Sequence, residues 1–143
     1  MPVTMIERTD PGLEDFNNFL REILNITGLV LPDGYDVSKD APNTWEAARD
    51  YLASTGRICV LPGRDPTGVL PEASYGAFRA WHDWVHVTCG CKFSENGENE
   101  AAIIQEVMLA ARVGRVKAKR WLHLLQREVV DSNNYQRKGV EIA

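Results

Sequence analysis

The chain reads as a mainly α-helical domain of about five helices with a minor β element, with α+β as the second choice. Three observations predict this class. Apolar residues recur at three- and four-residue spacing through most of the chain, capping residues and glycines punctuate those stretches, and only one run, Arg57 to Leu61, has strand character.

The elements follow in order. Asp10-Pro11-Gly12 opens the first helix, with Asp as cap and Pro at the first helical position, where a missing N–H is no loss. Leu13, Phe16, Leu20, Ile23 and Leu24 recur at helical spacing, and Gly28 is the expected stop. Leu29 to Pro42, with Pro32-Asp33-Gly34, reads as a turn-rich connection. Asn43, with Glu46 three residues on, reads as a capping box that starts a second helix running to about Ser54, and Gly56 stops it. After the strand candidate, Pro62 to Gly68 is a loop. A third helix is expected from Ala73 or Ser74 to about Cys89, with Gly90 as its stop. Ser94 to Asn96 can cap a fourth helix through Ala111, which Gly114 breaks or kinks. A last helix from about Val116 to Val130 carries Trp121, Leu124, Leu125 and Val129, ahead of a polar tail. No repeat, low-complexity tract or linker divides the chain. One domain over residues 1–143 is expected, with its core over about 11–130.

At 143 residues the chain matches the commonest domain size and can bury roughly 70% of its unfolded surface without disulfide staples. Its 44% hydrophobic and 25% charged content is that of a globular protein. A net charge of −4 opposes non-specific nucleic-acid binding, which needs dense positive charge. No apolar run nears the roughly 20 residues that cross a bilayer, and MPVTMIERTDPG does not have the form of a secretory signal. Three cysteines, Cys59, Cys89 and Cys91, are an odd number and make no disulfide framework, which points to a reducing, cytosolic setting.

The chemistry concentrates in Phe78-Arg79-Ala80-Trp81-His82-Asp83-Trp84-Val85-His86. Residues four apart on a helix share a face, so His82 and His86 can share one divalent metal, zinc above all. The metalloprotease helix H-E-x-x-H has that geometry, but here its Glu position holds Asp83, a base one methylene shorter. A third ligand can come from Glu98 or Glu106 on the fourth helix, with Glu128 and Asp131 as further candidates. Asp83 and Glu98 are the candidate acid–base groups. A rival closed zinc site uses His82, His86 and Cys89, with Cys91 nearby. Alternatively no cofactor is held: Phe78, His82, Val85 and Cys89 form an apolar stripe, and both histidines then serve as hydrogen-bonded core residues or as metal-free acid–base groups.

Phe78-Arg79-x-Trp81-His82-Asp83-x-x-His86, followed by Phe93-Ser94-x-x-Gly97-Glu98 and an Ala-rich helix with Gln105, resembles a group of small uncharacterised tailed-bacteriophage proteins. More distantly it is similar to a domain of phage and mobile-element polyvalent proteins. In that domain a Gly precedes the second His, which is therefore displaced by about 100° around a helix relative to His86. The resemblance covers roughly residues 45 to 115. It implies a phage or prophage origin, and one cluster made of His82, Asp83, His86 and Glu98, but no reaction.

Other features have plainer readings. Arg112, Arg115, Lys117, Lys119 and Arg120 form the one basic run, which reads as a solvated face or as a site for an outside anion. Trp45, Trp81, Trp84 and Trp121 are expected mostly in the core, and His123 as semi-buried scaffolding. P-loop, dinucleotide-binding and Gly-x-Ser-x-Gly patterns are missing. The expectation is a small phage-encoded intracellular protein, in the host cytoplasm or the virion, with a metal or acid–base site and possible hydrolase chemistry. The alternative is a non-enzymatic accessory, host-takeover, counter-defence or minor virion protein that binds a host or phage protein.

Overall fold

In the computed structural model, which describes residues 11–66 and 68–123, helix α1 spans Pro11–Val30. Proline stands at its first position, where its fixed φ suits a helix start; the expected Asp10 cap lies outside the described residues. Phe19, Ile23, Ile26 and Thr27 form its buried stripe, while Leu24 points outward at 47% exposure. Gly28 does not end the helix. It faces solvent without a left-handed φ, and the amide of Leu31, buried in the core, still donates to Thr27 O at 2.9 Å.

Strand β1 (Tyr35–Val37) lies inside the stretch expected to be only turns. It pairs in parallel with β2 (Ile58–Val60), which matches the strand candidate in the sequence, and Asp36 stands opposite Cys59. Three residues are too few to show alternation in sequence. The strand is held instead by a polar clasp. Arg57 Nε and Nη2 both reach Asp36 Oδ1, at 2.8 and 2.7 Å, Arg57 Nη2 also donates to Tyr35 O at 3.2 Å, and Tyr51 OH donates to Asp36 Oδ2.

Helix α2 (Trp45–Thr55) connects the strands. Its cap is Thr44, whose hydroxyl accepts from Ala47 N at 3.1 Å. The Asn43–Glu46 capping box is therefore replaced by a cap one residue later. Glu46 then falls one position short of reaching back, and instead lies 3.6 Å from Lys92 Nζ. Helix α3 (Glu72–Cys89) follows, then α4 (Glu95–Val113), capped by Ser94 Oγ accepting from Gly97 N at 3.1 Å. Gly114 breaks the helix as expected, and residues 115–123 are helical again, as α5. Leu124, Leu125, Val129 and the polar tail lie outside the described residues.

The architecture is therefore mainly α, with five helices among the described residues and one small parallel sheet. Helix α3 is the central element, packed by α1, α2, α4 and both strands. Its Trp81 and Phe78 join Phe19, Ile23, Leu109, Trp121 and Leu122 in the main core, and its Ala80 meets Leu31, Ile58 and Val60 in a smaller one under the sheet. Helix α5 docks on α1 through Trp121, stacked on Phe19 at 5.0 Å, with its indole N–H donating to Asp15 Oδ2 at 2.8 Å. His123 is exposed, not semi-buried, because it points away from the buried side that carries Leu122. Trp81 and Trp121 are buried, as expected, and Trp45 and Trp84 are half-buried. No helix among the described residues is long and apolar enough to cross a membrane.

The clasp gives the first prediction. Hydrogen bonds from Arg57 and Tyr51 hold the Asp36 carboxyl below its ordinary value, and the same contact pushes Tyr51 up to about 12. A carboxyl whose folded pKa is depressed stabilises the fold above its unfolded pKa, and that stability is lost as pH falls through the lower folded value. Asp36→Asn should therefore lower the melting midpoint at pH 7, and the gap to wild type should close as pH drops below about 4. A gap independent of pH in thermal melts would show that the charge of Asp36 does not hold the sheet.

Candidate metal centre

The site forms where α3 turns back into α4. His82 and His86, one turn apart on α3, project into the interior with ring centroids 4.6 Å apart and planes at 83°. Gly90 ends α3 in a left-handed conformation (φ 73°) that a side chain would disfavour, and the Gly90 and Cys91 amides both turn back to His86 O. This reversal aims the Cys91 carbonyl at His86 Nδ1, 2.5 Å away. Trp45 Nε1 donates to the same His86 carbonyl at 2.9 Å, so α2 is tied to the end of α3 as well.

The returning segment lies close on the first turn of α4. A Cβ on Gly97 would overlap the Lys92 carbonyl, so only glycine lets the two backbones approach this far. The next residue, Glu98, is thereby carried into the interior between the two rings. Its Oε1 lies 2.8 Å from His82 Nε2 and 2.9 Å from His86 Nε2, and the two Nε2 atoms are 3.1 Å apart. Seven residues along α4, on the same face, Gln105 presents Oε1 to His82 Nδ1 at 2.7 Å. Gln105 Nε2 has no hydrogen-bond partner among the described residues. Phe93 meets the His86 ring edge-on at 4.9 Å, and Phe78 lies alongside His82 at 6.5 Å.

These contacts assign the protons. A main-chain carbonyl can only accept, so His86 Nδ1 carries hydrogen; Gln105 Oε1 likewise accepts from His82 Nδ1. Nε2 of each ring is thereby the nitrogen that meets Glu98, as an N–H donor where the ring is protonated and as a lone pair where it is neutral. Histidines that bind metals characteristically donate their other N–H to a carbonyl or carboxylate in this way. The setting is dry: His86 is 0% exposed, Glu98 1% and His82 3%. A buried charge in such a place needs a compensating one. His82, His86 and Glu98 form a group that can hold a metal ion.

The other site candidates fall elsewhere. Asp83 is adjacent to His82 but about 100° around the helix, half-buried and outside the group. Glu106 lies eight residues beyond Glu98, about 12 Å along α4, and lines a surface groove with Arg115 and Lys119. Cys89 is exposed, and Cys91, though buried, offers the histidine its carbonyl, so the His–Cys zinc site is not assembled among the described residues. Glu128 and Asp131 lie outside the described residues. Gln105 was not recognised as a site residue in the sequence. Its signal was the seven-residue spacing from Glu98, which returns a side chain to almost the same helical face.

Two predictions follow from this geometry. His86→Ala leaves a cavity and a buried carboxylate stripped of one partner, and should destabilise the fold by roughly 3–5 kcal/mol in chemical denaturation. A loss below about 1 kcal/mol would mean the ring is not part of the structural framework. Gly97→Ala should lower the melting temperature far more than the few tenths to 1 kcal/mol gained by an ordinary helical Gly→Ala change would raise it. A more stable Gly97→Ala protein would contradict the close backbone contact.

Comparison with protein families, with curated proteins and with solved structures yields no match to this chain.

Proposed function

We propose that this chain is a small phage-type accessory protein whose α3–α4 hairpin is held by a divalent metal, zinc in preference, bound by His82, His86 and Glu98. One observation carries the reading: the two Nε2 atoms and Glu98 Oε1 form a triangle with sides of 2.8, 2.9 and 3.1 Å, three atoms that can each offer a lone pair to one ion. A single proton satisfies one side of such a triangle and leaves another with lone pair against lone pair. Two protons, one on each ring, place two imidazolium N–H groups against each other across the 3.1 Å side. A cation among the three donors satisfies all of them.

Two nitrogens and a carboxylate oxygen suit zinc among common divalent ions. Tetrahedral ligands at 2.0–2.1 Å lie about 3.3 Å apart, so the donors need to spread by only a few tenths of an ångström. The bound ion would neutralise the buried carboxylate and lock the hairpin.

Burial separates a structural centre from a hydrolytic one. Three protein ligands resemble the catalytic zinc pattern, but a catalytic ion needs an open position that substrate can reach. All three ligands here are at most 3% exposed, and Asp83, the sequence-based candidate for a base, is not among them. The observation therefore favours a metal-stabilised, non-enzymatic protein that acts through a host or phage partner. Phage origin rests on the His82-Asp83-x-x-His86 to Gly97-Glu98 resemblance, and a location in the host cytoplasm or virion follows from that origin.

The protein should purify with about one zinc per chain, and His82→Ala and Glu98→Gln should each lower that content sharply. Zinc at about 100 times its dissociation constant should stabilise the fold by about 2.7 kcal/mol, a shift on the order of 10 °C in melting temperature. Elemental analysis and melts with and without a chelator measure both. A metal-free wild type, with no melting shift from any first-row divalent ion, ends this proposal.

A further inference from the structure

On its outward side, α4 carries a second pattern that the metal centre does not use. Ile103 and Val107, one turn apart, are each 64% exposed, and Val116 just beyond the Gly114 break is 81% exposed. Val107, Ala110 and Val116 line one groove with Glu106, Arg115 and Lys119, in a cavity of about 640 Å³. Isolated exposed apolar residues are ordinary on a protein surface, but a continuous apolar strip along a helix and into a groove marks a contact surface.

The charges at the two ends of the strip identify the occupant. Glu95 and Glu100 are exposed at the N-terminal end, and Arg115 and Lys119 are exposed at the other. Among the described residues none of these four makes an ion pair. By contrast Arg112 and Arg120, on the same basic run, are paired with Glu22 and Asp15. Glu106 shares the groove with Arg115 and Lys119, so the surface runs from an acidic end through Ile103 and Val107 to an end where two cations outnumber one carboxylate, and such a gradient complements a copy of itself laid antiparallel. We infer that this face of α4 pairs with the same face of a second copy about a two-fold axis near Val107. That arrangement sets Ile103 against Ala111 of the second copy and brings the acidic end over the second copy's basic end.

With the axis at Val107, residues 101–113 of the two α4 helices overlap over about 20 Å, so each copy buries a few hundred Å², below the roughly 800 Å² of a standard stable interface. The dimer should therefore be weak, with a dissociation constant on the order of 10–100 µM, and weakened further by salt. This inference stands apart from the metal reading, since none of its residues touches His82, His86 or Glu98.

Sedimentation equilibrium of the full chain, from about 5 to 500 µM, should show a monomer–dimer equilibrium, and Val107→Arg should abolish it without changing the melt of dilute protein. If Val107→Arg lowers that melt, the charge swaps decide the matter. Glu100→Lys and Arg115→Glu should each weaken association about 3- to 10-fold, and the two together should restore it. A chain that stays monomeric at the highest concentration overturns the inference. So does a dimer insensitive to Val107→Arg, or charge swaps without mutual rescue.

Discussion

The structure depends on where two hydrogens sit. His86 Nδ1–H is committed to the Cys91 carbonyl and His82 Nδ1–H to Gln105, so neither ring can offer that nitrogen to Glu98. Both Nε2 atoms are instead turned toward the Glu98 carboxylate, in a site nearly stripped of water where each polar contact weighs heavily. The partners that set this orientation come from different parts of the chain. The carbonyl lies in the reversal after α3, and the amide lies nearly three turns into α4. The hairpin is thus assembled as one unit around its polar centre.

The surrounding fold serves that assembly. Helix α3 can bury His82, His86, Trp81 and Val85 together because neighbours cover it on several sides, with α1 and α4 supplying most of the hydrocarbon. Thr27 on α1 sits 2.9 Å from Ala77 O, and Trp81 Nε1 sits 3.4 Å from Met108 Sδ, so polar atoms within the packing also find partners. The β1–α2–β2 unit reaches the site by a different route. Trp45 at the start of α2 donates to His86 O, and Lys92 Nζ lies 3.4 Å from the centre of the Trp45 ring, covering it from solvent. The carbonyl of one metal-ligand candidate therefore anchors an outer helix as well as the turn.

Helix phase was legible in the sequence wherever a cap or a four-residue repeat announced it. Ser94, Gly90 and Gly114 mark the ends of α3 and α4, and the spacing of His82 and His86 placed both on one face. Strand β1 was not legible, because its three residues show no periodicity and its stability resides in a clasp made by Arg57 and Tyr51, distant in sequence. Asp83 and Glu106 lie outside the His82–His86–Glu98 group because each is turned around its helix, by about 100° from His82 and about 80° from Glu98, whereas Gln105, seven residues from Glu98, returns to nearly the same angle. The role of Gly97 was equally hidden, since its neighbour Lys92 belongs to a segment whose path only the folded chain reveals.

Helix α4 has two faces with separate tasks. Glu98, Ala101, Gln105 and Leu109 face inward, and Ile103 and Val107 face outward. An ion at the inner face cannot touch a macromolecular partner, so any effect on association must pass through the position of the helix itself. A ligand shifts an equilibrium only by its difference in affinity for two states. An ion held by the inner face would favour the closed α3–α4 hairpin, because only there do both Nε2 atoms and Glu98 Oε1 meet.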